Sequence, residues 1–152
     1  MTSITTIMTS HPATILASQT LQEAYLKMKA MKIRHLPVFD QRGVLVGILS
    51  DRDLQRVMQR ERVSETQENY CFESKETVEA VMTWPVRVIA SSTSVKTAAR
   101  LMLQEKLSAL VVTDLSNHPK AIVTTDDLLR FIVEAESPQI ERPILAAAQA
   151  SW

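Results

Sequence analysis

Cysteine and glycine are nearly absent from this chain: Cys71 is its one cysteine, and Gly43 and Gly47 are its two glycines. A lone cysteine excludes an intrachain disulfide. Cys71 also lies in a polar stretch without a histidine partner, which leaves it no nucleophile's role. No G-x-x-x-x-G-K-[ST] phosphate loop and no G-x-S-x-G elbow occurs. Net charge is missing too, since 17 basic residues balance 17 acidic ones. That removes the basic excess behind broad attraction to nucleic acid or anionic membrane. No apolar run approaches the roughly 18 residues of a membrane span. The start, MTSITTIMTSHP, lacks the basic and apolar regions of a secretory signal. His11, His35 and His118 show no metal-ligand spacing with one another or with Cys71. These absences lead to the expectation of a cytoplasmic protein with no metal, no nucleic acid and no membrane partner. A hydrophobic content of 45% is enough to build a core.

What the chain does have is a copy of itself. Met8-Thr9 returns as Met82-Thr83, an offset of 74 residues (82 − 8). At that offset Leu21, Ala24 and Met28 match Val95, Ala98 and Met102. Ile33, Leu36, Val38 and Asp40 match Leu107, Leu110, Val112 and Asp114. Gly47-Ile48-Leu49-Ser50 matches Ala121-Ile122-Val123-Thr124, and Asp53-Leu54 matches Asp127-Leu128. Each copy reads as β-α-β-β-α. ATILA and VRVIA are short strands. Leu21, Ala24, Met28 and Met31 mark one stripe of a helix opened by the capping box Thr20-x-x-Glu23. HLPVF, the turn DQRG and VLVGIL form a β-hairpin. A second helix is predicted from Asp51 to about Arg62. The second copy predicts a helix near 95–106, strands at 109–113 and 120–124, and a helix near 126–135. The expected division is 1–62 for the first repeat, 63–76 for a linker, 77–135 for the second repeat and 136–152 for a tail that is loose or docks on a partner. The methionines on these stripes read as core filling.

The residues that carry chemistry sit where strand turns into helix, at Gly47-Ile48-Leu49-Ser50-Asp51-Arg52-Asp53 and at Ala121-Ile122-Val123-Thr124-Thr125-Asp126-Asp127. A helix N-terminus offers unpaired N–H groups and a positive dipole end to a phosphate. A hydroxyl there adds one hydrogen bond, and a carboxylate three residues on can accept from both hydroxyls of a ribose. The same Ser-x-x-Asp and Thr-x-x-Asp spacing also makes a helix cap, and one residue can serve both ends. Arg34 and His35, at the start of HLPVF, read either as phosphate contacts or as a solvated charge and a packed strand end. Arg52 in a helix first turn opposes the dipole, which an anion nearby or simple exposure would explain.

The repeated strand–helix–hairpin–helix unit, the HLPVFD strand and the G-h-x-[ST]-x-x-[DN] motif resemble the cystathionine-β-synthase (CBS) domain, and the tandem pair resembles a Bateman module. The resemblance spans about residues 4–135. It implies an α/β (α+β) fold in which two repeats pack through their sheets with pseudo-twofold symmetry, leaving two clefts built from both copies. It implies AMP, ADP, ATP or S-adenosylmethionine as ligands, a regulatory rather than catalytic role toward some partner protein, and a homodimer. Carried over, Ser50 and Asp53 hold phosphate and ribose in the first site, with Thr83 and Ile122 lining the adenine. Thr124 and Asp127 do so in the second, with Thr9 and Ile48. Gly47 permits close backbone approach; Ala121 departs from the family's glycine there. If each repeat supplies the phosphate wall of its own motif's cleft, Arg34, His35 and Arg52 make the first site the one that prefers ATP or ADP. Ser108, Ala109 and Asp126 then leave the second to AMP, adenosine or nothing. Leu54, Val57, Met58, Leu128, Leu129 and Ile132 are the apolar helical positions expected to pair two copies.

Two other functions stay open on the sequence. One is an interaction and dimerisation module whose clefts are degenerate. The other is an enzyme using paired carboxylates, for which the sequence supplies no nucleophile, metal or general base.

Overall fold

A computed structural model describes the backbone of residues 1–64, 67–73 and 75–135, and the side chains of these except 60–71. The expected tail, 136–152, lies outside the described residues.

Two similar halves face each other through their sheets. In the first, β2 (Ile15–Leu16), β3 (His35–Phe39) and β4 (Leu45–Ser50) form one sheet, with α1 (Leu21–Met31) and α2 (Asp51–Val57) packed on it. In the second, β7 (Val88–Ala90), β8 (Ala109–Thr113) and β9 (Pro119–Thr124) pair in the same way beside α3 (Val95–Glu105) and α4 (Thr125–Ala135). β2 runs parallel to β3, and β7 to β8. Both hairpins carry an irregularity at matching places, Val38/Phe39 and Val112/Thr113. Even the turns repeat. The Asp40 carboxylate accepts from the N–H groups of Arg42 and Val44, and that of Asp114 from Ser116 and His118. α1 and α3 both end on a lysine, Lys32 and Lys106, in the left-handed region.

Strand alternation assigns the two faces of each sheet. Leu36, Val38 and Leu49 turn toward α1, whose stripe Leu21, Ala24 and Met28 is buried against them. Leu110, Val112 and Val123 do the same with Val95, Ala98 and Met102. The alternate residues of β3 and β8, among them His35, Pro37, Ala109, Val111 and Thr113, are also buried but belong to neither helical core. Both faces of these strands are therefore covered, which is why they read as continuous apolar runs.

The segment that leads each sequence repeat packs on the opposite half. The single helical turn Ile4–Thr6 places Ile4 in the second core, and β1 (Thr9–Ser10) pairs antiparallel with β9. The matching turn Val78–Ala80 places Val78 in the first core, and Thr83 pairs antiparallel with Ile48 of β4.

Two expectations fail locally. α2 stops at Val57 rather than near Arg62, because its stripe Leu54, Val57, Met58 meets Glu61 and Arg62 at the next turn. The chain instead forms a hairpin, β5 (Gln59–Ser64) with β6 (Gln67–Cys71), which takes in part of the 63–76 stretch expected to be a linker. Leu54, expected at a surface between copies, is buried in the first core.

Candidate functional site

Each strand-to-helix junction is tied down by reciprocal hydrogen bonds. The Asp53 N–H donates to Ser50 Oγ at 3.1 Å, and the Ser50 N–H donates to Asp53 Oδ2 at 2.9 Å. In the second copy the Asp127 N–H donates to Thr124 Oγ1 at 3.3 Å, and the Thr124 N–H to Asp127 Oδ2 at 2.8 Å. The capping reading of both motifs is thus realised. The other carboxylate oxygen of each aspartate meets an arginine one turn on. Arg56 Nη1 lies 3.7 Å from Asp53 Oδ1, and Arg130 Nη1 3.3 Å from Asp127 Oδ1. Asp53 and Asp127 are only 4% and 8% exposed, yet each borders an open cleft.

The first cleft, about 190 Å³, is lined by Ile48, Ser50, Arg52, Asp53, Arg56 and Thr83 on one wall. Its other wall, Arg87, Lys106, Leu107 and Ser108, comes from the second repeat. Thr83 is fixed there by Ile48, which donates its N–H at 3.0 Å and accepts at 2.8 Å. The Thr83 hydroxyl stands 3.4 Å from both Asp53 oxygens. Gly47 lets the chain approach closely here, since a Cβ would stand 2.5 Å from Met82 Sδ and 3.1 Å from the Thr83 carbonyl oxygen, so the Met82 side chain would have to move. The second cleft, about 380 Å³, has Thr9, Ile122, Thr124, Asp126, Asp127 and Arg130 on its motif wall. Lys32, Ile33, Arg34 and His35 of the first repeat face them. This cleft shares His11 and Pro12 with an adjoining pocket of about 480 Å³, which Pro37, Val111 and Ala121 also line.

Every motif residue expected at a site borders a cleft or, like Gly47, packs beneath one, but three are redistributed. Ile48 belongs with the first cleft and Ile122 with the second, the reverse of the carried-over assignment. The exchanged segments pair Thr83 with Ile48 and Thr9 with Ile122, so each motif keeps its own isoleucine. Arg34 faces the second cleft, because the loop before each central strand forms the far wall of the other repeat's motif. Its Nε lies 3.6 Å from Asp126 Oδ2 and 3.9 Å from Asp51 Oδ2. The expected grouping of Arg34 with the Ser50 motif therefore fails, while Arg52 stays beside that motif. His35 borders both clefts, and its Nε2 is 2.8 Å from Ser108 Oγ across the halves. Burial holds its imidazole below the ordinary pKa, a shift that nearby Asp51 opposes and Arg34 reinforces.

Sequence reasoning missed Arg56, Arg130, Lys32 and Lys106. The internal alignment held the signal, since Arg56 matches Arg130 and Lys32 matches Lys106 at the same 74-residue offset as Met8 and Met82. Among the described residues no group of three His, Cys, Asp or Glu side chains could hold a metal ion, and no helix is long and apolar enough to cross a membrane.

A fold made of two such units, with paired strand-to-helix clefts between them, defines a tandem-repeat α/β architecture, and comparison identifies it. The CBS domain family matches residues 4–60 and 78–134, and the chain belongs to that family. It is 33% identical to the CBS domain-containing protein YhcV of Bacillus subtilis, over 84% of each chain. It is 31% identical to a homoserine O-acetyltransferase of Methanocorpusculum labreanum, over 80% of this chain and 22% of that enzyme. The chain thus spans about a fifth of that longer relative. Among solved structures, CBSX2 in complex with AMP superposes with a TM-score of 0.67 at 26% identity, covering 88% of this chain and 98% of that one. The CBS domain pair of MJ0100, in complex with 5′-methylthioadenosine and S-adenosyl-L-methionine, superposes with a TM-score of 0.69 at 25% identity, covering 86% and 99%.

Proposed function

We infer that this protein is a regulatory module that binds adenine nucleotides, or S-adenosylmethionine, in the two clefts and passes the bound state to a partner protein. The observation that carries this reading is the twofold recurrence of one arrangement. In each cleft a buried aspartate caps a helix beside a hydroxyl, a backbone-paired threonine and a basic wall from the other repeat. A simple cap does not need the opposite wall. In each cleft the aspartate accepts the ribose hydroxyls, Ser50 or Thr124 and the helix N-terminus face phosphate, and Ile48 or Ile122 packs on the base. The pocket beside the second cleft offers an apolar floor for that base. AMP in the similar CBSX2 and S-adenosylmethionine in the similar MJ0100 pair support adenosine as the shared element.

The module acts without catalysis of its own: Ser50 and Thr124 serve as helix caps, and the Ser108–His35 contact ties the two halves together. It works as a homodimer in the cytoplasm. α4 supports the pairing: Leu129, Ile132 and Val133 are 61%, 54% and 74% exposed on one helix. A second reading, an interaction module with idle clefts, draws on the capping bonds, which already satisfy both aspartates without a ligand. A thermal-shift panel of AMP, ADP, ATP, S-adenosylmethionine, NADH and cyclic dinucleotides separates the two. A ligand that binds only the folded state adds about 2.7 kcal/mol at a hundredfold excess over Kd. A midpoint that rises with adenine ligands supports the sensor; a midpoint unmoved by the whole panel supports the interaction module.

A further inference from the structure

The two clefts are copies of one another in backbone but not in charge. At the mouth of the first stands Arg52, with Ser108 on the facing wall. At the matching positions of the second stand Asp126 and Arg34, and these two pair across the mouth at 3.6 Å. Arg34 is shared further with Asp51. The remaining lining charges widen the contrast. The first cleft sets Arg52, Arg56, Arg87 and Lys106 against the one lining carboxylate, Asp53; Arg56 is engaged by it at 3.7 Å and Arg87 meets Glu105 outside the cleft at 3.0 Å, which leaves Arg52 and Lys106. The second sets Lys32, Arg34 and Arg130 against two, Asp126 and Asp127, and both arginines are already engaged by them. A polyphosphate entering the second cleft must displace carboxylates from Arg34 and then lie beside Asp126. In the first it meets Arg52 and Lys106.

Building on the nucleotide reading above, we propose that the clefts divide their ligands by charge: the first takes a nucleoside polyphosphate, and the second takes an adenosine whose 5′ substituent is uncharged or zwitterionic. The selecting residues are Arg52 and Asp126. The adjoining pocket favours the same division, since it gives the second cleft apolar surface at Pro37, Val111 and Ala121 but only Lys120 as a further basic group, with Asp114 opposite in charge. Charge-assisted bonds to phosphate are about twice as strong as neutral ones, so exchanging a carboxylate for a guanidinium at the mouth acts on ATP far more than on a thioether of adenosine.

Titration calorimetry with ATP and with 5′-methylthioadenosine, on the full chain, tests this. The wild type is expected to take one ATP per chain, and to bind 5′-methylthioadenosine with ATP already saturating. Arg52→Asp weakens ATP about tenfold or more, the value of one lost charge-assisted bond, and leaves 5′-methylthioadenosine unchanged. Asp126→Arg, which copies Arg52 into the second cleft, raises ATP to two per chain. If that variant melts early, Asp126→Asn removes the repulsion alone and still yields a second, weaker ATP site. Two equal ATP sites in the wild type overturn the division while leaving the nucleotide reading intact. So does ATP binding that survives Asp53→Ala and is lost in Asp127→Ala. Absence of binding by both ligands overturns the nucleotide reading itself, and the division with it.

Discussion

Replacing Asp53 by alanine separates its two jobs. In the folded chain its carboxylate accepts the Ser50 N–H at 2.9 Å, stands 3.4 Å from the Thr83 hydroxyl and lies 3.7 Å from Arg56. Only the first of these is a short, well-placed bond, and Arg56 is largely exposed, so its pairing adds little. Ser50 Oγ still accepts the N–H of residue 53, so half of the capping box survives. The loss is then about 1 kcal/mol for the cap, rising to about 2 kcal/mol if the half-buried Ser50 N–H finds no water. For a chain of this size that lowers the melting midpoint by roughly 2–4 °C per kcal/mol. Binding suffers more. Loss of charged hydrogen bonds to a ribose costs about 1.5–3 kcal/mol, which weakens affinity at the first cleft on the order of ten- to a hundredfold. Urea titration gives the stability and calorimetry gives the affinity on the same sample. A variant that loses the expected stability but binds nucleotide as before would show that Asp53 is a cap and nothing more.

Gly47→Ala sets a methyl against Met82 and the Thr83 carbonyl, so stability falls by about 1–3 kcal/mol and the first cleft weakens with it; an unchanged thermal melt refutes the close-approach argument. His35 contributes through its neutral form: burial disfavours the imidazolium, while the unfolded chain takes up a proton as pH falls through 6.5. The stability present above pH 6.5 is therefore lost progressively as pH falls from there through the lower folded value, and urea midpoints at pH 7.5 and 5.5 should drop further for the wild type than for His35→Gln. Equal drops contradict the assignment. Leu129→Glu with Ile132→Glu places charge on the exposed face of α4; on the homodimer reading, light scattering at tens of micromolar gives a dimer for the wild type and a monomer for the variant, a dimeric variant moves the interface elsewhere, and a monomeric wild type contradicts the pairing.

Much of the fold was legible because its signals are local and occur twice. Stripes such as Leu21-Ala24-Met28, the Thr20-x-x-Glu23 cap and the turn at Asp40 each declare a short element. Their recurrence 74 residues on turned weak hints into a repeat. The motif residues were legible for the same reason. What stayed hidden depends on contacts distant in sequence. Nothing in MTSITTIMTS says that Ile4 packs against Val95 and Met102 rather than on its own repeat. Once that exchange is known, Ile48 goes to Thr83, and Arg34 faces the second cleft instead of the first. The β5–β6 hairpin was hidden because QRERVS and QENYC carry no apolar alternation.

The most direct test of the account is calorimetric titration of ATP and of S-adenosylmethionine into the wild type and into the double variant Asp53→Ala, Asp127→Ala, with each protein's folding checked by its urea midpoint. The account predicts saturable binding to the wild type and binding weakened on the order of ten- to a hundredfold in a double variant that remains folded. Equal binding by both proteins, or no binding of AMP, ATP or S-adenosylmethionine to the wild type, contradicts it.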